Sequence, residues 1–275
     1  MTAMPTIIHP AAIVEQGARL GEGVRIGLFC HVGADAEIGD RVELISHVVV
    51  AGMTSIGAGT RVFPHASLGC EPQNGAYKGE PTTLRIGRNN TIREGVTMHR
   101  GTGNARGETV VGDNCMFLAY AHVAHDCVLG EGVTFANNVM IGGHVTIGDR
   151  VIIGGGAGVH QFCTVGHHAF IGGVSAVVND VIPFGMVQGS RAYLAGLNIV
   201  GMKRSGMSRA DIHAVRAAYR RLFGEGTIRA NAEAILAENP QCAGVRDIAE
   251  FVLADSKRKF ITPATARASR ALDDD

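Results

Sequence analysis

One large apolar residue at every sixth position constrains this chain more than any other feature. Ile8, Val14, Leu20, Ile26, Val32, Ile38, Leu44, Val50, Ile56, Val62 and Leu68 keep that beat without a slip. It resumes in phase at Ile86, Ile92 and Met98. Shifted by one, it then runs from Val111 through Phe117, Val123, Leu129 and Phe135 to Val177, and it stops at Pro183. The residue after the beat is very often Gly, as at Gly21, Gly27, Gly39, Gly130 and Gly148. The residue four places on is small, as at Ala18, Ala36, Thr60, Cys127 and Ala157. A helix cannot use a period so far from a multiple of 3.6. Short strands can, because residues i and i+4 of an extended chain share a face and glycine permits tight turns. The expected fold class is mainly β, a parallel β-helix of hexapeptides whose strands stack on their equivalents at about 4.8 Å.

The beat breaks twice, in GCEPQNGAYKGEPTTLR near 69–85 and in HRGTGNARGET near 99–109. The first gap is two beats long and returns in register; the second shifts the phase. Their Pro, Gly and polar residues predict surface loops, and long loops on a rigid frame commonly carry function. After Pro183 the pattern changes. Residues 185–201 read as a crossover with little periodicity. Ser208 predicts the N-cap of a helix to about Phe223, with Ile212, Val215, Tyr219 and Leu222 on one face and Gly224 as its stop. Further helices are expected over about 227–238 and 245–259, and the acidic terminus is expected to be disordered. The chain thus divides into a β-helix over 1–190 and a crossover with a helical domain over 191–275. The helices would cover an open coil end.

Composition excludes several classes. Basic and acidic residues balance at 25 each, so nucleic acid is not an expected partner. No apolar run approaches the ~20 residues of a membrane span, and MTAMPTIIHP lacks a basic-then-apolar leader, so a cytoplasmic location is expected. Among the cysteines Cys30, Cys70, Cys115, Cys127, Cys163 and Cys242 there is no C-x-x-C pair. Cys30, Cys115, Cys127 and Cys163 share the small slot of the repeat, which predicts buried thiols rather than disulfides or metal ligands.

The hexad pattern resembles that of the hexapeptide-repeat acyltransferases. That resemblance implies a left-handed parallel β-helix with three hexads per 18-residue coil, against the usual crossover hand. Coil arithmetic then stacks His125 over Gly143 and Gly143 over Gln161. His144 and His160 flank the column, and His122 lies on the same turn as His125. His9, His31, His47 and His65 fall in early coils and read as surface residues. A histidine can take a proton from a hydroxyl nucleophile. Adjacent Asp126 can fix its tautomer, and the Gly143 N–H can stabilise an oxyanion. The plain reading of the column is a polar solvent edge. The rival chemistry is a three-histidine zinc site, to which His122-x-x-His125 is a poor match. No G-x-S-x-G nucleophile motif occurs.

At longer range AHVAHDC, HQF at His160, IREGVTMHRG at 92–101 and LNIVGMKRSGMSR resemble the UDP-N-acetylglucosamine O-acyltransferase family of lipid A biosynthesis over nearly the whole chain. The resemblance implies transfer of a 3-hydroxyacyl chain from acyl carrier protein to the sugar 3-hydroxyl of UDP-N-acetylglucosamine. The acyl group arrives on the phosphopantetheine arm, with no further cofactor and no metal. In this picture His125 is the base, Asp126 orients it and Gly143 holds the oxyanion. His99, His122, His144, His160 and Gln161 bind the sugar and reacting groups. Gln73, Asn198 and Arg204 meet the nucleotide end, where a guanidinium suits phosphate. Gly173 leaves room at the far end of the acyl groove, so a long chain is expected. The family is homotrimeric, with sites between neighbouring prisms.

The chain departs from the family pattern at Ala76, where a lysine is common and Lys78 is the candidate replacement. It departs again at Val200, Ser205 and Arg191, the last where a histidine often lies near the acyl end. A 3-amino acceptor stays open, as does a non-catalytic scaffold. The related N-acyltransferase carries an extra N-terminal domain, for which hexads starting at Ile8 leave no room.

Overall fold

The computed structural model describes residues 5–264. Its strands are mostly two residues long and join into three sheets of 11, 9 and 8 strands, parallel apart from the last pair of the first sheet, each taking every third strand as far as Val177. The result is a triangular prism, a left-handed parallel β-helix. We call the faces first, second and third in the order the chain visits them, starting from Ile7–Ile8, Ile13–Val14 and Arg19–Leu20. The beat residues point inward. On the first face Ile26, Leu44, Ile92, Phe117, Phe135 and Ile153 stack coil on coil, all essentially without exposure. Phe117 and Phe135 meet edge to face at 5.2 Å. Deleting such a residue to Ala is expected to cost about 3–5 kcal/mol for Phe, because neighbouring coils cannot close the cavity.

The long loops return in the predicted register. Ile38 pairs with Ile56 at the ordinary 18-residue step, but Ile56 pairs with Ile86 and Ile86 with Val111. Extended strands Ser67–Cys70, Thr83–Ile86, Thr97–His99 and Glu108–Val111 narrow the two excursions to 71–82 and 100–107. Both leave from the second corner, where the chain turns from the second face to the third.

Beyond Val177 the rhythm does not stop at Pro183; it shortens. Val181 bridges Val165, and Val187 pairs with Ile171, each at a step two residues below the usual one. The expected irregular crossover contains an antiparallel pair, Gly185–Gln188 with Tyr193–Leu197, which extends the first sheet past residue 190. It also contains a short helix, α1 (Ile199–Arg204), capped by the Asn198 side chain on Gly201 N. Helices α2 (Arg209–Leu222) and α3 (Ile228–Ala237) follow with Ser208 and Thr227 as N-caps. Helix α4 (Ala243–Leu253) begins two residues early and ends six short of the expected 259. The chain is instead drawn out along the prism, where Asp180 N–H donates to Lys259 O and Ile261 N–H to Asp180 O. These backbone bonds override the helix-forming bias of the segment. The helices cover the prism end at Phe184. A Cβ on Gly244 would lie 2.9 Å from Val215 Cγ2 and 3.3 Å from Phe184 Cε2, so glycine lets α4 sit close. The expectation of a disordered acidic tail falls outside the described residues.

Candidate active site

The second corner places His125 and Asp126 between strands His122–Val123 and Val128–Leu129. Asp126 turns the chain with φ 58°, in the left-handed region where Asp is among the better tolerated residues. Its side chain is fully buried and its acceptors are filled. Oδ1 accepts from Thr102 N at 3.1 Å and Gly107 N at 3.2 Å. Oδ2 accepts from Thr102 Oγ1 at 2.7 Å and lies 2.8 Å from His125 Nδ1. Burial alone would raise the Asp126 carboxyl; the Thr102 hydroxyl, His125 and the Thr102 amide outweigh it and hold the group below the usual range. The ionised carboxylate only accepts, so His125 Nδ1 donates and Nε2 keeps its lone pair. The second loop therefore closes on Asp126.

Beneath His125 lies Gly143, as the coil arithmetic requires. A Cβ there would sit 2.6 Å from His125 Cε1 and 2.8 Å from Nε2, so a side chain would fill the space at the basic nitrogen. Among the described residues no acceptor takes the Gly143 N–H. His144 follows at φ 62°, edge-on to His125 at 5.0 Å and stacked on Phe162 at 4.5 Å. Burial lowers its imidazole below the usual value, with Asp126 opposing. A groove of about 520 Å³ runs along this corner and the second face, lined by Gln73, His99, His122, His125, Gly143, His160 and Gln161 among others. His122 accepts from or donates to Thr97 Oγ1 at 2.8 Å and meets the His99 ring at 5.3 Å. Burial, with His99 and His125 nearby, pulls His122 down to about 4. His99 is fixed in turn by Glu71 O in the first loop.

Other expected site residues lie elsewhere in the chain. Lys78 is exposed in the first loop, outside the groove, with its backbone N–H on Glu80 Oε2 at 2.9 Å. Gly173 sits at the first corner, beside exposed Val174. Arg191 is exposed in the turn between Gly185–Gln188 and Tyr193–Leu197. Asn198 and Arg204 line a separate cavity of about 400 Å³ with Ile152, Phe170, Val200 and Ser205. Asn198 is also structural, because Nδ2 donates to His168 O at 2.9 Å while Oδ1 caps α1. The groove and this cavity open on different faces, so one chain does not bring Gln73 together with Asn198 and Arg204. Sequence reasoning missed Thr97, Thr102, Gly107 and Arg258, whose guanidinium reaches His160 and Gln161. His125, Asp126 and His144 offer ligand atoms within 4.8 Å of one another. A cation there would have to displace the hydrogen bonds that already saturate Asp126, so the donor set suits a base better than a metal.

A family model described as Udp N-acetylglucosamine O-acyltransferase, domain 2, matches residues 180–261, and a bacterial transferase hexapeptide model matches 108–143. The acyl-[acyl-carrier-protein]–UDP-N-acetylglucosamine O-acyltransferase of Brucella ovis is 60% identical over 259 residues, covering 94% of this chain and 93% of its own. The chain belongs to the UDP-N-acetylglucosamine O-acyltransferase family. A Rhizobium johnstonii member is 55% identical over 93% of this chain and 94% of its own. Solved family structures agree. The Campylobacter jejuni acyltransferase superposes with a TM-score of 0.89 at 38% identity, over 93% of this chain and 99% of that one. The Francisella novicida enzyme gives 0.91 at 33%, over 95% and 96%.

Proposed function

We propose that the chain transfers a 3-hydroxyacyl group from acyl carrier protein to the 3-hydroxyl of UDP-N-acetylglucosamine, the first step of lipid A biosynthesis, with His125 as general base. The observation that carries this is the His125–Asp126 pair set against the Gly143 N–H, in a chain of this family. His125 Nε2 takes the proton of the sugar hydroxyl as its oxygen attacks the thioester carbonyl. The C–O bond forms, the carbonyl electrons become an oxyanion, and the Gly143 N–H donates to it. Collapse breaks the C–S bond, and the imidazolium returns its proton to the departing pantetheine sulfur. Asp126 stabilises the imidazolium between those steps. Family membership favours this reading over a zinc hydrolase or a scaffold, and the protein's own groups suffice for the chemistry.

A shared site between copies belongs to the same proposal. The catalytic groove lies on the second face, while the cavity with Asn198 and Arg204 lies against first-face strands. Exposed Met116 and Ile152 on the first face, Tyr120 and Val174 at the first corner and Met140 on the second supply apolar surface between them. A homotrimer that seats one copy's first face against the next copy's second would complete the site, with Asn198 fixing α1 and Arg204 meeting the diphosphate. Gly173 and Arg191 would then bound the acyl end. Lys78 lies outside the groove, so it substitutes for a lysine at Ala76 only if substrate draws the first loop inward. A cytoplasmic location is part of this reading; no described helix is long and apolar enough to cross a membrane.

The test is transfer from a ladder of 3-hydroxyacyl carrier proteins to acceptors bearing a 3-hydroxyl or a 3-amino group. His125→Ala is expected to lower kcat by about 10²–10⁴ while the oligomer persists. Near-full activity in that variant would remove His125 as the base, and preference for the amino acceptor would reassign the substrate.

A further inference from the structure

The segment after α4 returns over the last coils of the prism as a strap. Its anchor is Asp180, which is buried. The Asp180 carboxylate accepts from Thr164 N at 2.7 Å and from the Ser256 hydroxyl, and its backbone pairs with Lys259 and Ile261. So held, the strap lays two cations on the corner that carries the groove. Lys257 Nζ stands 4.7 Å from the centre of the Phe162 ring, whose plane stacks on His144. Arg258 Nη2 lies 2.7 Å from His160 Nδ1 and 2.9 Å from Gln161 O, and Arg258 Nε lies 3.2 Å from the same carbonyl.

These distances have a definite chemical meaning. A guanidinium has donors and no acceptor. With Arg258 in place, His160 Nδ1 must therefore carry its lone pair, and the ring proton sits on Nε2, the nitrogen left to serve the groove. The Gln161 carbonyl is satisfied by Arg258 as well. Remove the guanidinium and His160 Nδ1 is left 3.2 Å from that carbonyl, with no donor other than its own proton to bridge the gap. The ring then gains by moving its proton to Nδ1, and Nε2 becomes an acceptor. We propose that Arg258, carried by the Asp180-anchored strap, is a positioning residue that makes His160 a hydrogen-bond donor to substrate. A substrate oxygen that met N–H in the native site would meet a lone pair without Arg258. This rests on the reading of His160 as part of the substrate groove.

The experiment uses the full chain in its native assembly with ¹⁵N-labelled histidine. Wild type is expected to show His160 as the Nε2–H tautomer and Arg258→Ala as the Nδ1–H tautomer. An unchanged tautomer in Arg258→Ala overturns the proposal. In kinetics, Arg258→Ala is expected to raise the KM for UDP-N-acetylglucosamine about tenfold, the scale of one hydrogen bond to an uncharged group turned repulsive, with kcat within about threefold. Arg258→Lys keeps a donor on the strap and is expected to retain the Nε2–H tautomer and most of the affinity. It also guards against misfolding of the Ala variant, and loss of the tautomer in a folded Lys variant counts against the proposal. The double variant His160→Ala/Arg258→Ala should bind no worse than His160→Ala alone, whereas additive losses would mean that Arg258 acts independently of His160. A His160→Ala chain with wild-type KM removes the groove assignment itself, and the tautomer measurement then still decides what Arg258 does.

Discussion

The first and second corners of the prism both carry ladders of rings, and on the proposed mechanism only the second serves the chemistry. At the first corner Phe29, His47 and His65 stack at 5.1 and 5.0 Å, each with positive φ. At the second corner Asp126, His144 and Phe162 occupy the corresponding left-handed slots. The backbone is the same: His47 N donates to Leu28 O at 2.9 Å, and His144 N to His125 O at 3.0 Å. Stacked rings are thus a by-product of coil repetition. Two substitutions within the repeat separate the corners. The slot that holds a ring at Phe29 holds a carboxylate at Asp126, and the residue before it is His125 rather than Leu28, Ser46 or Pro64. The second difference is the loop. Residues 100–107 leave the coil one turn before His125 and deliver Thr102 and Gly107 to the carboxylate. On the proposed mechanism, a histidine ladder becomes a catalytic wall when one rung is an aspartate whose remaining acceptors are taken by a loop.

The largest effect should come from unmaking that rung. In Asp126→Asn the amide must place its NH₂ at one of the two oxygen positions. The Oδ1 position faces the Thr102 and Gly107 amides, the Oδ2 position only the shared Thr102 amide and a hydroxyl that can turn, so the NH₂ goes to the Oδ2 side, where Thr102 Oγ1 accepts. His125 Nδ1 then meets a donor and becomes the acceptor, and Nε2 takes the proton. The base is lost by tautomer, with the geometry intact. A kcat lower by about 10²–10⁴ is expected, with a melting temperature close to wild type. A variant retaining a tenth of wild-type kcat would show that the carboxylate is not what sets the tautomer.

The contrast between the corners also marks what could be read in advance. Each coil repeats one beat, so the sequence determines strand stacking, the column of His125, Gly143 and Gln161, and the return register of both loops. The pair His125–Asp126 is contiguous and therefore visible. Thr102 and Gly107 lie in a segment without period, where nothing local distinguishes a carboxylate ligand from a surface residue. Arg258 is almost a hundred positions from His160, and its segment looks helical until Asp180 draws it straight. Helix α1 is six residues long, too short to display a helical period. The rhythm past Pro183 was hidden because the last coil is two residues shorter.

A smaller effect concerns the imidazoles that the reactive wall buries. His122 titrates near 4 in the fold, lowered first by burial, whereas an unfolded histidine takes its proton near 6.5. Between those values the unfolded chain binds the extra proton, so stability is complete above about pH 6.5 and falls as pH drops toward 4. Burial lowers His144 and His168 as well, and they act in the same direction. Asp126, held below its usual range, adds loss only at still lower pH. His122→Gln keeps a partner for Thr97 and should flatten the slope of unfolding free energy between pH 6.5 and 4 by up to one proton. Parallel slopes for the two proteins in denaturant titrations at several pH values would rule this out.

The smallest effect should come from the other ladder. His47 and His65 are exposed rings at the first corner, outside the groove, and neither lies beside a buried carboxylate. Replacing both with Asn respects their backbone, since φ values of 53° and 66° fall in the region that Asn adopts readily. The substitution removes both ring–ring contacts and leaves buried Val48, Val50, Ala66 and Leu68 as before. If chemistry depends on the aspartate rung and its loop, kcat/KM of His47→Asn/His65→Asn stays within about twofold of wild type, as expected for surface changes away from such features. A tenfold loss would mean that the first-corner rings serve the reaction too, and the distinction between the two corners would fall.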